Sequence, residues 1–149
     1  MKRLLPLLLV LALSLAAVAA PRPIRVLFLG HESEHHPSAT YLPFLMERNG
    51  RDAIYFDYFT KPDCLNPETL ALYDAVMLYA NHSTIKPEQF DALKAFVESG
   101  HGFLPIHCAS ACFSNEPRFI ALVGGRFKST RRIPSRRSSS ISRTRSCKA

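Results

Sequence analysis

Two short stretches concentrate the side chains that could do chemistry. Gly30-His31-Glu32-Ser33-Glu34-His35-His36 is one, and GFLPIHCASACF, Gly102 to Phe113, is the other, an apolar run that ends abruptly in His107 and Cys108. Asn81-His82-Ser83 adds a third histidine locus. Neutral imidazole works as an acid or base near neutral pH and is the commonest protein ligand for zinc. Three such rings around an open position suit a hydrolytic metal centre. His31, His82 and His107 form the candidate set, with Glu32 or Glu34 as acid/base or as partner to a ligand, and His35-His36 as a further candidate. A second reading gives the same histidines to a polar-ligand pocket or to the capping of neighbouring loops. The spacing is not a metal motif such as His-Glu-x-x-His, so the cofactor stays open, a divalent metal such as zinc being one answer.

Cys108 invites a nucleophilic reading. A strand-to-helix elbow projects one side chain sharply at the sheet edge, and here that residue is His107, directly after Ile106. Cys108 is one residue past it and should point elsewhere. A nucleophilic cysteine also needs a base that favours thiolate; His31 or His82 could reach it, and spacing alone does not show it. Cys108 and Cys112 read as small packing residues on the following helix. Phosphate binding is disfavoured too, because the first turn is not glycine-rich and carries two carboxylates.

The elements that must position these residues alternate in type. Ile24 to Gly30 (IRVLFLG) is a continuous apolar run, as in a parallel strand buried on both faces. Ser38 to Asn49 reads as a helix with Tyr41, Leu42, Leu45 and Met46 on one face. Asp52 to Phe59 and Tyr73 to Ala80 read as strands, with a short helix from Asn66-Pro67-Glu68 to Leu72 between them. Lys86-Pro87-Glu88 opens a helix with Phe90, Leu93, Phe96 and Val97 at helical spacing and Gly100 at its end. Phe103 to Ile106 is a fourth strand and Glu116 to Val123 a last helix. This rhythm predicts an α/β fold, a doubly wound parallel sheet. Ligands of such sheets sit outside the carboxyl ends of the strands. Five of the six histidines follow such ends; only His101 does not.

The flanks differ from this middle. Residues 1–20 have the layout of a secretory signal peptide: Lys2 and Arg3, an apolar stretch from Leu4 to Leu15, and Ala17-Val18-Ala19 as a cleavage site. They predict export to the periplasm or medium, with no stable membrane insertion after cleavage. Residues 128–149 hold six Arg, two Lys and seven Ser with no acidic residue. Of nineteen basic residues in the chain, eight lie there and two in the leader, so residues 21–127 keep nine against twelve acidic, a net −3. The basic character belongs to the tail, and no nucleic-acid partner is expected of the domain. The tail is either disordered and solvated or an out-of-frame translation of a GC-rich gene. Of four cysteines, Cys64, Cys108, Cys112 and Cys147, the last lies in that tail; the pairing stays open.

VLFLGHESEHH (Val26 to His36), YDAVMLYANHSTIKPEQFDALKAFVESGHGFLPIHCAS (Tyr73 to Ser110) and FIALVGGRF (Phe119 to Phe127) resemble the ThuA, or trehalose-utilisation-type, family. The resemblance covers nearly all of Ile24 to Phe127 and implies a flavodoxin-like, class I glutamine amidotransferase-like fold. It implies a small carbohydrate as ligand, trehalose or an oxidised disaccharide, and a link to its catabolism without a defined reaction. In amidotransferases of this fold the elbow reads Gly-Ile-Cys-x-Gly. Pro105-Ile106-His107-Cys108-Ala109 lies over it, so His107 stands at the cysteine position and amidotransferase activity is not implied. The family continues beyond Gly-Gly-x-Phe with further strands and helices, whereas here Phe127 leads into the Arg/Ser run. The expected domain, residues 21–127, is therefore partial, its sheet incomplete on the C-terminal side. A non-catalytic sugar-binding or interaction module and an inactive truncated fragment are the alternative readings.

Overall fold

The strand that begins the sheet is buried because it is central. In the computed structural model, which describes residues 22–34 and 36–127, β1 (Ile24–Gly30) is exposed at its first two residues and buried from Val26 onward. It is flanked by β4 (Ile54–Phe59) and β5 (Ala75–Tyr79), and β5 carries β6 (Gly102–Pro105) on its far side. All three pairings are parallel. Leu27 lies opposite Val76, and Val76 opposite Phe103, so the strand ends stay level across the sheet. From β1 the chain moves to one side for β4, then crosses back for β5 and outward for β6. That reversal makes the sheet doubly wound, and it puts the switch point between β1 and β5, where ligand crevices form in open α/β sheets. The doubly wound α/β sheet read from the strand–helix rhythm, flavodoxin-like as the resemblance implied, is the fold found. The leader and the Arg/Ser tail lie outside the described residues.

Side chains alternate across the pleat, and each face has its own cover. Leu27, Leu29, Val76 and Leu78 share one face with Leu70 of α2 (Pro67–Leu70), with Phe90, Leu93 and Phe96 of α3 (Pro87–Glu98) and with Phe119 of α4 (Pro117–Val123). Val26, Phe28, Ala75 and Met77 form the second face, against Leu42 and Leu45 of α1 (Leu42–Asn49). That cover is thin: α1 has no fully buried residue, and Tyr41, Phe44 and Met46 are exposed.

Local chemistry sets the helix boundaries. The Asn66 side chain accepts the Thr69 amide at the start of α2, at 2.8 Å, and Pro67 occupies a first-turn position where no amide is needed. The Gln89 side chain accepts the Lys86 amide at the start of α3, at 2.9 Å, and Gly100 ends that region with φ of 98°, a conformation open to glycine at no steric cost. Two expectations need adjusting. Ser38–Tyr41 is a 3-10 turn leading into α1, not α-helix, and the segment after His107 is a 3-10 turn, His107–Ala111, not the start of a regular helix. Pro43 explains the first: its ring fixes the opening turn of α1 and lacks the amide that an earlier helical turn would use.

Candidate functional site at the carboxyl edge of the sheet

The loop after β1 folds back on itself as a small antiparallel ribbon, β2 (Glu32–Ser33) with β3 (His36–Pro37). Ser38 locks the ribbon to the sheet. Its hydroxyl is fully buried, accepts the His31 amide at 3.0 Å and donates to the Tyr79 carbonyl at 2.6 Å. The end of β5 and the loop after β1 are thereby tied together at the switch point.

Two histidine pairs result. His31 and His82 lie with ring centroids 5.0 Å apart at the ends of β1 and β5. His36 and His107 form the second pair at 5.2 Å, with Tyr79 against both rings, 6.3 Å from His36 and 5.9 Å from His107. His31, His82 and His107 therefore do not form one ligand set among the described residues; the metal-competent trio is His36, His107 and Cys108, whose ligand atoms lie within 4.8 Å of one another. The reason is lateral. His31 leaves β1 and His107 leaves β6, with β5 between them, and two strand spacings are about 10 Å. Only the ribbon, doubling back from β1, carries an imidazole across to His107.

The two pairs differ chemically. His82 Nε2 donates to the Gly30 carbonyl at 3.1 Å, and burial, helped by the neighbouring His31, holds its pKa below the usual histidine value. His82 is thus neutral at pH 7, in the Nε2–H tautomer, with Nδ1 available as an acceptor. His31 Nδ1 is buried without a hydrogen-bond partner among the described residues. A buried polar atom left alone is costly, and such atoms mark places where a ligand or water completes the bonding. Glu32 is not a free base. Its carboxylate accepts the Tyr58 hydroxyl and, at 3.2 Å, the Ala39 amide. Burial and the Glu32 contact push the Tyr58 pKa well up, so the phenol stays a donor. Tyr58 lies across Gly30, where an added Cβ would clash with its ring. Glu34 is exposed on the ribbon, and His35 is outside the described residues.

His107 is the elbow. It follows Ile106 directly and has φ of 50°, a left-handed backbone that only glycine adopts freely. Cys108 is buried, as a packing residue would be, and burial raises its thiol pKa, which disfavours thiolate and nucleophilic attack. Its Sγ nevertheless lies in reach of His36 and His107. Cys112 donates its thiol to the Ala80 carbonyl at 2.8 Å, and burial pushes it up to about 12. Cys64, Cys108 and Cys112 form no disulfide with one another among the described residues. Left-handed backbone is stored strain, so His107→Gly is expected to be about 1 kcal/mol more stable than His107→Ala. Urea midpoints of the two variants measure it; equal midpoints would mean that the elbow relaxes once the imidazole is gone.

Beside the elbow opens a cleft of about 500 Å³, lined by Phe28, Met77, Ile106, Tyr41, Tyr79 and His107 among others. Its floor is the thinly covered face of the sheet, and its polar end is the carboxyl edge. The sequence reading missed Tyr79 and Ser38. Tyr79 had a signal in the alternation Ala75, Met77, Tyr79, which puts it on the cleft face at the strand's end. Ser38 had only its place at the start of the helix read over Ser38 to Asn49.

The fold and its edge define a flavodoxin-like α/β domain with a histidine-lined switch point and a histidine at the elbow. The chain belongs to the ThuA family, whose description is trehalose utilisation and which matches residues 25–146. A ThuA-like protein from Bacteroides uniformis ATCC 8492 is similar in structure, with a TM-score of 0.55 and 24% identity over 74% of this chain. The match spans 47% of that protein's length. No curated protein matches the chain.

Proposed function

We propose that this ThuA-family domain takes a small carbohydrate, trehalose or an oxidised disaccharide, at the carboxyl edge of its sheet and serves the catabolism of that sugar outside the cytoplasm. The supporting observation is the cleft that ends at Tyr41, Tyr79 and His107. A largely apolar pocket with a few convergent polar groups is the general form of a small-molecule site. Aromatic rings suit the C–H faces of a sugar, while imidazoles and phenols suit its hydroxyls. The domain is not an amidotransferase on this reading. The elbow offers an imidazole, and the adjacent thiol is held protonated by burial. Export rests on the signal-like layout of residues 1–20.

Trehalose and lactobionate, titrated separately into the full chain, test the proposal by thermal shift and calorimetry. One of them is expected to raise the melting temperature in a saturable way, and Tyr41→Ala, an exposed position, is expected to weaken that binding about tenfold. Absence of any saccharide-dependent shift in a chain that melts cooperatively would overturn the carbohydrate reading. Product analysis after incubation then separates an enzyme from a binding module.

A further inference from the structure

We propose that His36, His107 and Cys108 form a binding site for a soft or borderline transition-metal ion, zinc in the first instance, with a fourth coordination position open toward the cleft. Two local structures bring the ligands together: His36 comes from the ribbon after β1, and His107 and Cys108 open the 3-10 turn His107–Ala111 at the elbow. Their ligand atoms all lie within 4.8 Å of one another. In a tetrahedral zinc site, metal–nitrogen and metal–sulfur bonds of about 2.0–2.3 Å place ligand atoms about 3.4–3.8 Å apart. Closing the difference takes about 1 Å per contact, within the reach of small side-chain rotations of one exposed and one half-buried histidine.

The donor set chooses the ion. Two imidazoles and one thiolate, formed as the binding metal displaces the Cys108 proton to solvent, suit zinc or copper, whereas magnesium and calcium need oxygen ligands that the trio lacks. The burial is graded in a useful way. Cys108 is the inner ligand, 9% exposed, His36 is half-buried and His107 is the outer one. Three protein ligands with the open position outward is the arrangement of a reactive metal rather than a closed structural one. Tyr79 stands against both imidazoles and lines the same cleft as His107, so a molecule in the cleft would meet the fourth position. The strain at His107 has a purpose on this reading: the left-handed elbow turns the imidazole to face His36 while the next residue goes inward. The site does not depend on the saccharide reading, since metal is assayed with no sugar present.

The experiment is cobalt(II) and zinc(II) titration of the reduced full chain. Cobalt is expected to give sulfur-to-cobalt charge transfer and the intense visible bands of a four-coordinate site. Zinc is expected to displace it at about one equivalent per chain. Cys108→Ser should abolish the charge-transfer band, and His36→Gln should weaken zinc binding by about tenfold or more while keeping that band. Cys64→Ser, Cys112→Ser and Cys147→Ser should leave both signals unchanged. His36→Gln, at a half-buried position, keeps the test valid if Cys108→Ser fails to fold. A wild-type chain that melts cooperatively and shows no thiolate–cobalt band overturns the proposal. So does a band that survives Cys108→Ser, or one that vanishes with Cys64, Cys112 or Cys147 instead.

Discussion

Ser38→Ala is expected to destabilise the chain by about 2–4 kcal/mol, far more than the loss of one oxygen atom suggests. The side chain is fully buried and its hydroxyl serves two backbone groups at once, the His31 amide at 3.0 Å and the Tyr79 carbonyl at 2.6 Å. The His31 and His36 carbonyls also approach it, at 3.1 and 3.4 Å, but a hydroxyl has one proton, and the shortest contact takes it. Alanine leaves the His31 amide without this acceptor and the Tyr79 carbonyl without this donor, and a buried polar group stripped of its partner costs about 1–3 kcal/mol. The loss would fall on the site as well as on the fold, because Ser38 ties the ribbon that carries His36 to the strand that carries Tyr79. Urea unfolding of the full chain measures it: the midpoint should fall while the slope stays constant. A change below about 0.5 kcal/mol would show that water replaces the hydroxyl at both groups.

What was legible in advance follows from what periodicity encodes. The four main strands and α3 were readable because continuous apolar runs and the 3.6-residue spacing of Phe90, Leu93 and Phe96 report burial directly. His107 was readable as the elbow because it follows the last apolar residue of its strand. Knowing that a histidine follows a strand gives its height on the sheet and nothing of its lateral place, which depends on strand order. The order β4-β1-β5-β6 puts a strand between His31 and His107, and His31 pairs with His82 instead. His36 reaches His107 through a ribbon of two-residue strands, too short for any alternation to show. Glu32 was read as acid/base from its position in a histidine-rich loop; its engagement with Tyr58 comes from β4, distant in sequence and adjacent to β1 in space. Sequence patterns thus fixed elements and edges, and the pairing across edges came from topology.

Phe119→Ala should produce the larger loss, about 3–5 kcal/mol, the usual range for removing a fully buried aromatic ring. Phe119 is 1% exposed and sits edge-on to Phe113 with centroids 4.9 Å apart, with Phe103 of β6 at 6.4 Å. It anchors α4, whose seven residues are too few to hold a helix alone. The size of the loss matters because domains of this length are stable by only about 5–15 kcal/mol, and among the described residues the second face of this sheet has one helix over it. A single sharp transition in the wild type that moves down intact in Phe119→Ala is therefore expected, with Phe44→Ala on the exposed side of α1 shifting it by less than about 0.5 kcal/mol. A gradual wild-type melt, or equal effects of the two substitutions, would mean that α4 is not part of a cooperative core. The consequence reaches the site by a direct route. Phe113 stacks on His82 at 6.4 Å, and its amide donates to the His82 carbonyl at 2.7 Å. With the ring of Phe119 gone, the support behind that pair is gone too, and the His82–Gly30 bond at the switch point should be the first contact of the edge to loosen.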